Sequence, residues 1–191
     1  MKVKKYLIKT KKGVGHFLYP MFLLIFLMIM FCYIYYSTLI EYTRNTVDDG
    51  LMAATLASAC INIKDDKDFD EASILVITDC YSIFEVSLKE NLNLDSMFKP
   101  IPGTACDLII SSPITIDEYI FYREENGKIY KTTKGGVVNE YVGLAGKVKT
   151  NNGIVIVTNS VYSKISFDIY DSVNDEHKNV SRECVVDVFF E

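Results

Sequence analysis

The hydrophobic pattern changes period along the chain, and each change marks an element. From Phe17 to Ile40 there is no period at all: 24 residues, FLYPMFLLIFLMIMFCYIYYSTLI, carry no charge. A helix crossing a bilayer core needs about 20 apolar residues, so this stretch predicts a transmembrane helix. Pro20 stands near its start, where it interrupts at most one early backbone bond. Tyr33, Tyr35 and Tyr36 suit the far interface, with a buried ring and a wet hydroxyl. The run is longer than the apolar part of a signal peptide, and no small-residue cleavage site follows Ile40. The bulky Ile29, Met30 and Phe31 before Cys32 do not suit a lipoprotein signal. The segment therefore reads as a retained anchor.

A helical period takes over beyond the span. Residues 41–61, EYTRNTVDDGLMAATLASACI, contain no proline and several good helix formers. Val47, Leu51, Ala54, Ser58 and Ile61 recur on one face, so the helix is expected to continue to about Ile63. The alternative is a flexible stalk near Asn45–Asp49. Gly50 with Ala54, and Ala53 with Ala57, place small residues four apart, which lets another helix approach closely. Lys64–Asp70 reads as a polar turn with Asp70 as a cap. Glu71–Asn91 reads as a second helix, with Ile77, Tyr81, Phe84, Leu88 and Leu92 on its apolar face. A loop follows to Pro102.

The period then becomes two. Ile114, Ile116, Glu118, Ile120 and Tyr122 alternate with Thr115, Asp117, Tyr119, Phe121 and Arg123. Asn126-Gly127 predicts a hairpin turn and Lys128–Thr133 its return strand. Gly135-Gly136 reads as another turn, Tyr141–Thr150 as a short strand, and Asn152-Gly153 as a turn into Ile154–Thr158. In a long strand, Val161, Ser163, Ile165, Phe167 and Ile169 share one face. Asp171–Asn179 reads as a polar loop and Val185–Phe190 as the last strand. Two helices followed by antiparallel strands predict an α+β fold, with both helices covering one face of the sheet. The domain reading is a basic arm over 1–16, a span over 17–40, a projecting helix over 41–63 and a head over 64–191.

Charge fixes a sidedness. Lys2, Lys4, Lys5, Lys9, Lys11 and Lys12 precede the span, while all 25 acidic residues begin at Glu41. The positive-inside rule puts the N-terminus in the cytoplasm and the head outside. An acidic head repels phosphate and argues against a nucleic-acid partner. Cys60, Cys80, Cys106 and Cys184 permit two disulfides in three pairings. They equally suit small buried apolar positions. No CxxC spacing suggests zinc. Asp65, Asp66, Asp68 and Asp70 lack the central glycine and final glutamate of a calcium loop. His177 lies in a charged stretch and reads as solvated, Asp48-Asp49 as a solvated helix face or a subunit contact. No nucleotide, nucleophile-elbow or zinc-protease motif is present. The reading is a non-enzymatic protein without cofactor or metal.

The order of basic arm, apolar helix, amphipathic continuation and β-rich head resembles a type IV pilin-like subunit. NTVDDGLMAATLASA, directly after the span, resembles the post-membrane helix of TadE-like pseudopilins of the tight-adherence (Tad) pilus system. ENLNLDSMF, ITIDEYIFY and VTNSVYSKISFDI resemble distal parts of such proteins. The resemblance implies peptidase cleavage after a glycine, here Gly13 or Gly15. It also implies partners: other pilin-like subunits, an assembly platform and a prepilin peptidase, besides the lipid bilayer. Such precursors usually carry glutamate at the fifth mature residue. Here the fifth residue after Gly13 is Leu18 and after Gly15 is Pro20. That departure points to a minor or assembly role rather than a major subunit. The alternative from another class is a membrane-tethered binding or sensor domain outside any filament.

Overall fold

The computed structural model describes residues 2–60, 69–104, 106–134, 139–171 and 176–188. The chain is α+β: a long N-terminal helix, a second helix and an antiparallel sheet, in a pilin-like layout. It divides into two compact units, Met1–Tyr42 and Thr43–Glu191. The boundary falls inside the first helix. The helix α1 runs Lys2–Cys60, so no stalk interrupts residues 45–49.

In the first unit, the large apolar side chains of α1 from Phe17 to Tyr35 are exposed. Moving each from water into an apolar phase stabilises by about 1.5–3 kcal/mol. This helix is a candidate membrane span.

The second unit begins at Thr43. The expected face of α1 is buried at Val47, Leu51, Ala54 and Ser58, and Thr43, Thr55 and Ala59 join it. Helix α2 runs Phe69–Leu92. Asp70 therefore lies inside the helix rather than capping it. Tyr81, Phe84, Leu88 and Leu92 are buried, as the sequence pattern predicts.

Five strands follow in the main sheet: β1 Thr115–Glu125, β2 Lys128–Thr133, β3 Glu140–Leu144, β6 Ser160–Asp171 and β7 Glu176–Asp187. Their spatial order is β3-β2-β1-β6-β7, and every pair is antiparallel. A two-stranded ribbon, β4 Val148–Lys149 and β5 Val155–Ile156, stands apart. Asn126 (φ 52°) and Gly127 (φ 77°) both take the left-handed conformation that a two-residue hairpin turn requires. Both helices supply the core on one face, against Val161, Ile165 and Phe167. The ribbon covers part of the other face, with Ile156 packed near Tyr122, Ile129 and Tyr162.

Three strand expectations need correction. A bulge between Ile116 and Glu118 breaks the alternation of β1. Beyond it, Tyr119 and Phe121, not Ile120 and Tyr122, face the helices. One extra residue reverses every later side chain. The stretch 141–150 is two strands, because Ala145–Lys147 form a turn. The polar segment 176–179 belongs to β7, where Asn179 pairs with Asp168 and His177 with Tyr170. A hairpin edge exposed to water accepts polar side chains as readily as a loop does. The turn at Gly135-Gly136 and the residues Asp65, Asp66, Asp68, Phe189 and Phe190 lie outside the described residues.

The two helices run antiparallel within the head. Ser58 lies beside Tyr119, whose ring contacts Tyr81 and Phe84 with centroids 5.3 and 5.1 Å away. Gly50 meets Leu92 at the other end, and a Cβ at Gly50 would collide with the Leu92 side chain. Leu92 is fully buried and has no room to yield. Gly50→Ala should therefore destabilise the head by about 1–3 kcal/mol through overpacking. Helix propensity alone predicts a stabilisation of about 1 kcal/mol. Denaturant unfolding in detergent decides the sign, and in a Leu92→Ala background, where the clash is absent, Gly50→Ala should cost less than in the wild-type chain.

Candidate functional site

The segment Thr43–Cys60 continues the helix that carries the candidate span, and its inner face is seated on the sheet. Apolar burial supplies most of the energy. Val47 and Leu51 are almost fully enclosed, worth roughly 1.5–3 kcal/mol each. A seam of hydroxyls fixes the register. The Thr55 hydroxyl donates to the Leu51 carbonyl oxygen (2.7 Å) and lies 2.6 Å from the Ser163 hydroxyl. With its proton on Leu51, Thr55 accepts from Ser163. The Ser58 hydroxyl donates to the Thr55 carbonyl oxygen at 2.7 Å. The three side chains are buried, and the Thr55–Ser163 bond crosses from helix to sheet, so a slip would strand the Ser163 hydroxyl at about 1–3 kcal/mol. At the water-facing edge, Asp48 pairs with Arg182 of β7 (3.4 Å) and Arg44 (3.8 Å). Both pairs are half exposed and add about 0–1 kcal/mol.

The small residues singled out in the sequence separate into two groups. Gly50 and Ala54 are buried within the head, where Gly50 admits α2. Ala53 is exposed and Ala57 half exposed. Beside them on the open side stand Met52 (57% exposed) and Leu56 (49%). The open stripe is therefore Met52, Ala53 and Leu56. Periodicity identifies the buried face, but it assigns no role to the opposite one, so these two large residues went unremarked. Gly13 and Gly15 lie in α1.

The two-disulfide framework is not formed. Cys106 and Cys184 are free thiols. Cys106 is enclosed in the loop after α2. Cys184 is opposite Ser163 on β7 and within hydrogen-bonding reach of Thr55. Cys80 is buried in the core among α2 residues. The side chain of Cys60 lies outside the described residues. Burial raises the pKa of Cys106 and of Cys184, so both act as small protonated apolar groups.

Polar constellations occur elsewhere. The Ser111 hydroxyl lies 2.9 Å from Nδ1 of His177 and 3.1 Å from the Asp168 carbonyl oxygen. His177 is thus held, not merely solvated as its sequence context suggests. The Asp168 carboxylate is spent on Asn179 (2.9 Å) and does not orient the imidazole. Ser111 and His177 are both exposed. A nucleophile–base pair works through an orienting third group in a shielded site, and this pair serves instead to clip the loop to the β6–β7 hairpin. On the opposite face, Lys164 pairs with the largely buried Glu183 at 3.4 Å. Burial raises the pKa of Tyr162, and the Glu183 carboxylate beside it adds to the rise.

Two measurements check these assignments. Alkylation of the denatured chain without reductant should label Cys106 and Cys184, whereas a bridged peptide containing either would contradict the structure. Burial also raises Tyr81 and Tyr119. In the unfolded chain, thiols and phenols ionise near their ordinary values of 9.0 and 10.0. The folded head then binds more protons than the unfolded chain, so its stability falls as pH rises through that window. Equilibrium unfolding should show this decline, and a flat profile from about pH 8 to 11 would contradict it.

Comparison with known proteins supplies no relative from which a role could be transferred: no protein-family model, curated protein or solved structure matches this chain.

Proposed function

We propose that the chain is a single-pass membrane subunit of a Tad or type IV-like pilus, acting as a minor pseudopilin or assembly component. The N-terminus is cytoplasmic and the head extracytoplasmic. The observation that carries this reading is the continuity of α1, one helix through Tyr42 and Thr43 into the core of the head. A tethered binding domain needs only a linker at that point. A subunit that must be placed among others in a helical assembly gains from a helix there. The layout and the sequence resemblance support the same reading.

The open stripe of Met52, Ala53 and Leu56 supplies the lateral contact, because Gly50 and Ala54 are already occupied by the chain's own head. Burying two such side chains in a neighbour is worth about 3–6 kcal/mol before ordering costs. Leu56→Arg with Met52→Glu leaves the core untouched, so folding should change by no more than about 0.5 kcal/mol. The same variant should lose crosslinking to pilus subunits in its native cell. Wild-type crosslink yields from a folded variant would contradict the lateral contact. Intact-mass analysis of the chain from its native membrane should also show removal of the Lys2–Lys12 arm near Gly13 or Gly15. An intact arm would count against peptidase processing.

A further inference from the structure

The loop between α2 and β1 exposes apolar side chains at one end of the head. Met97 is 76% exposed, Leu108 60% and Ile101 44%. The loop that displays them is firmly built. Oδ1 of Asp95 accepts the backbone N–H of Met97 (2.8 Å) and of Lys99 (2.9 Å). Leu94 and Pro100 form a bridge, and the Phe98 carbonyl oxygen accepts the N–H of Ile114 at 2.9 Å. Phe98 sits at φ 61°, a conformation that a bulky side chain adopts only when its surroundings impose it. The Lys89 ammonium lies 4.1 Å from the centre of its ring. Oδ2 of Asp107 accepts the Gly103 N–H at 3.1 Å. Both loop carboxylates are thus turned onto the backbone, leaving an apolar tip flanked by Lys99.

Three registers inside the head locate this loop. Along α1, Thr55 meets Ser163 and Asp48 meets Arg182. Arg182 is opposite Ile165, so moving toward Thr43 on the helix means moving toward Asp171 on β6. The second register is α2: Tyr81 and Phe84 lie near Ser58 through Tyr119, and Leu92 lies at Gly50. The chain leaving Leu92 therefore continues toward the Thr43 end. The third is the clip, in which Tyr170 N–H donates to the Ile109 carbonyl oxygen (3.1 Å) and Ser111 binds His177. Met97, Ile101 and Leu108 thus share the end of the head at which Thr43 enters. Tyr42 and Thr43 are bonded neighbours, so along the chain the apolar run over 17–40 ends three residues before the point at which the helix enters that end of the head.

We infer that the 93–110 loop is a lipid-docking surface that places Met97, Ile101 and Leu108 in the interfacial region of the bilayer. This rests on reading residues 17–40 as the span. Three exposed apolar side chains bind lipid weakly from solution, but a direct covalent tether makes the encounter intramolecular. Apolar tips penetrate while Lys99 stays at the headgroup phosphates. Docking would fix the height of the head above the membrane.

The chain contains no tryptophan, so Met97→Trp, Leu108→Trp and Val157→Trp each report a single site. Val157, also exposed, precedes β6 at the far end of the head. Each full-length variant would be reconstituted in vesicles, with and without lipids brominated near the headgroup. The expected result is a roughly twofold loss of emission for Met97→Trp and Leu108→Trp, matching apolar tips at shallow depth, and none for Val157→Trp. Carbonate extraction of the same vesicles reads the span separately. A carbonate-resistant protein with no quenching at 97 and 108 overturns docking while leaving the span intact. A protein released by carbonate overturns both. Quenching absent from vesicles, with Met97 instead photocrosslinking to another polypeptide in the native membrane, would make the loop a protein contact and also overturn the proposal.

Discussion

The head depends on one seat: the face of α1 from Thr43 to Ala59 lying against the sheet. Its apolar residues carry the energy and its hydroxyls carry the register. Thr55 occupies a position where a valine would fill similar space, yet it spends its proton on its own helix and its oxygen on Ser163. A helix that slid or turned on the sheet would lose Val47 and Leu51 from the core and leave the buried Ser163 hydroxyl without Thr55. Everything else is ordered from this seat. Gly50 fixes how closely α2 approaches, α2 delivers the 93–110 loop to the Thr43 end, and the Ser111–His177 clip holds that loop against β6 and β7.

Tyr119, Cys106 and Cys184 are held neutral by burial, and the largely buried Glu183 is paired with Lys164. Several of the chain's polar side chains bind backbone: Asp95 and Asp107 close their loop, and Asn159 accepts the Glu124 N–H at 2.7 Å. Among its exposed apolar surfaces are the candidate span, the Met52–Leu56 stripe and the tip of the 93–110 loop.

Most of the architecture was legible where one physical signal acted alone. The uncharged run gave the candidate span, the 3.6-residue period gave the buried faces of both helices, and Asn126-Gly127 gave the hairpin together with the limits of β2. Legibility ended where a second effect intervened. The bulge at Asp117 left no mark in the alternation and reversed Tyr119 through Tyr122. Glu176–Asn179 looked like a loop because an edge strand facing water has no apolar requirement. The cysteines permitted bridges or burial, and only packing separates those outcomes. In the candidate site, the small residues were visible but their partners were not: Gly50 serves the chain's own α2, while Met52 and Leu56 stay open. Met97 and Leu108 carry no periodic signal, because their significance comes from which end of the head they occupy.

The central claim is that residues 43–59 are part of the head rather than a stalk beneath it. Hydrogen exchange of the full chain in nanodiscs, read by mass spectrometry, tests this directly. Amides from Val47 to Ser58 should be protected as strongly as those of Val161–Phe167 and should open with them as one cooperative unit. Exchange of the helical segment within seconds, while the strand remains protected, would contradict the account.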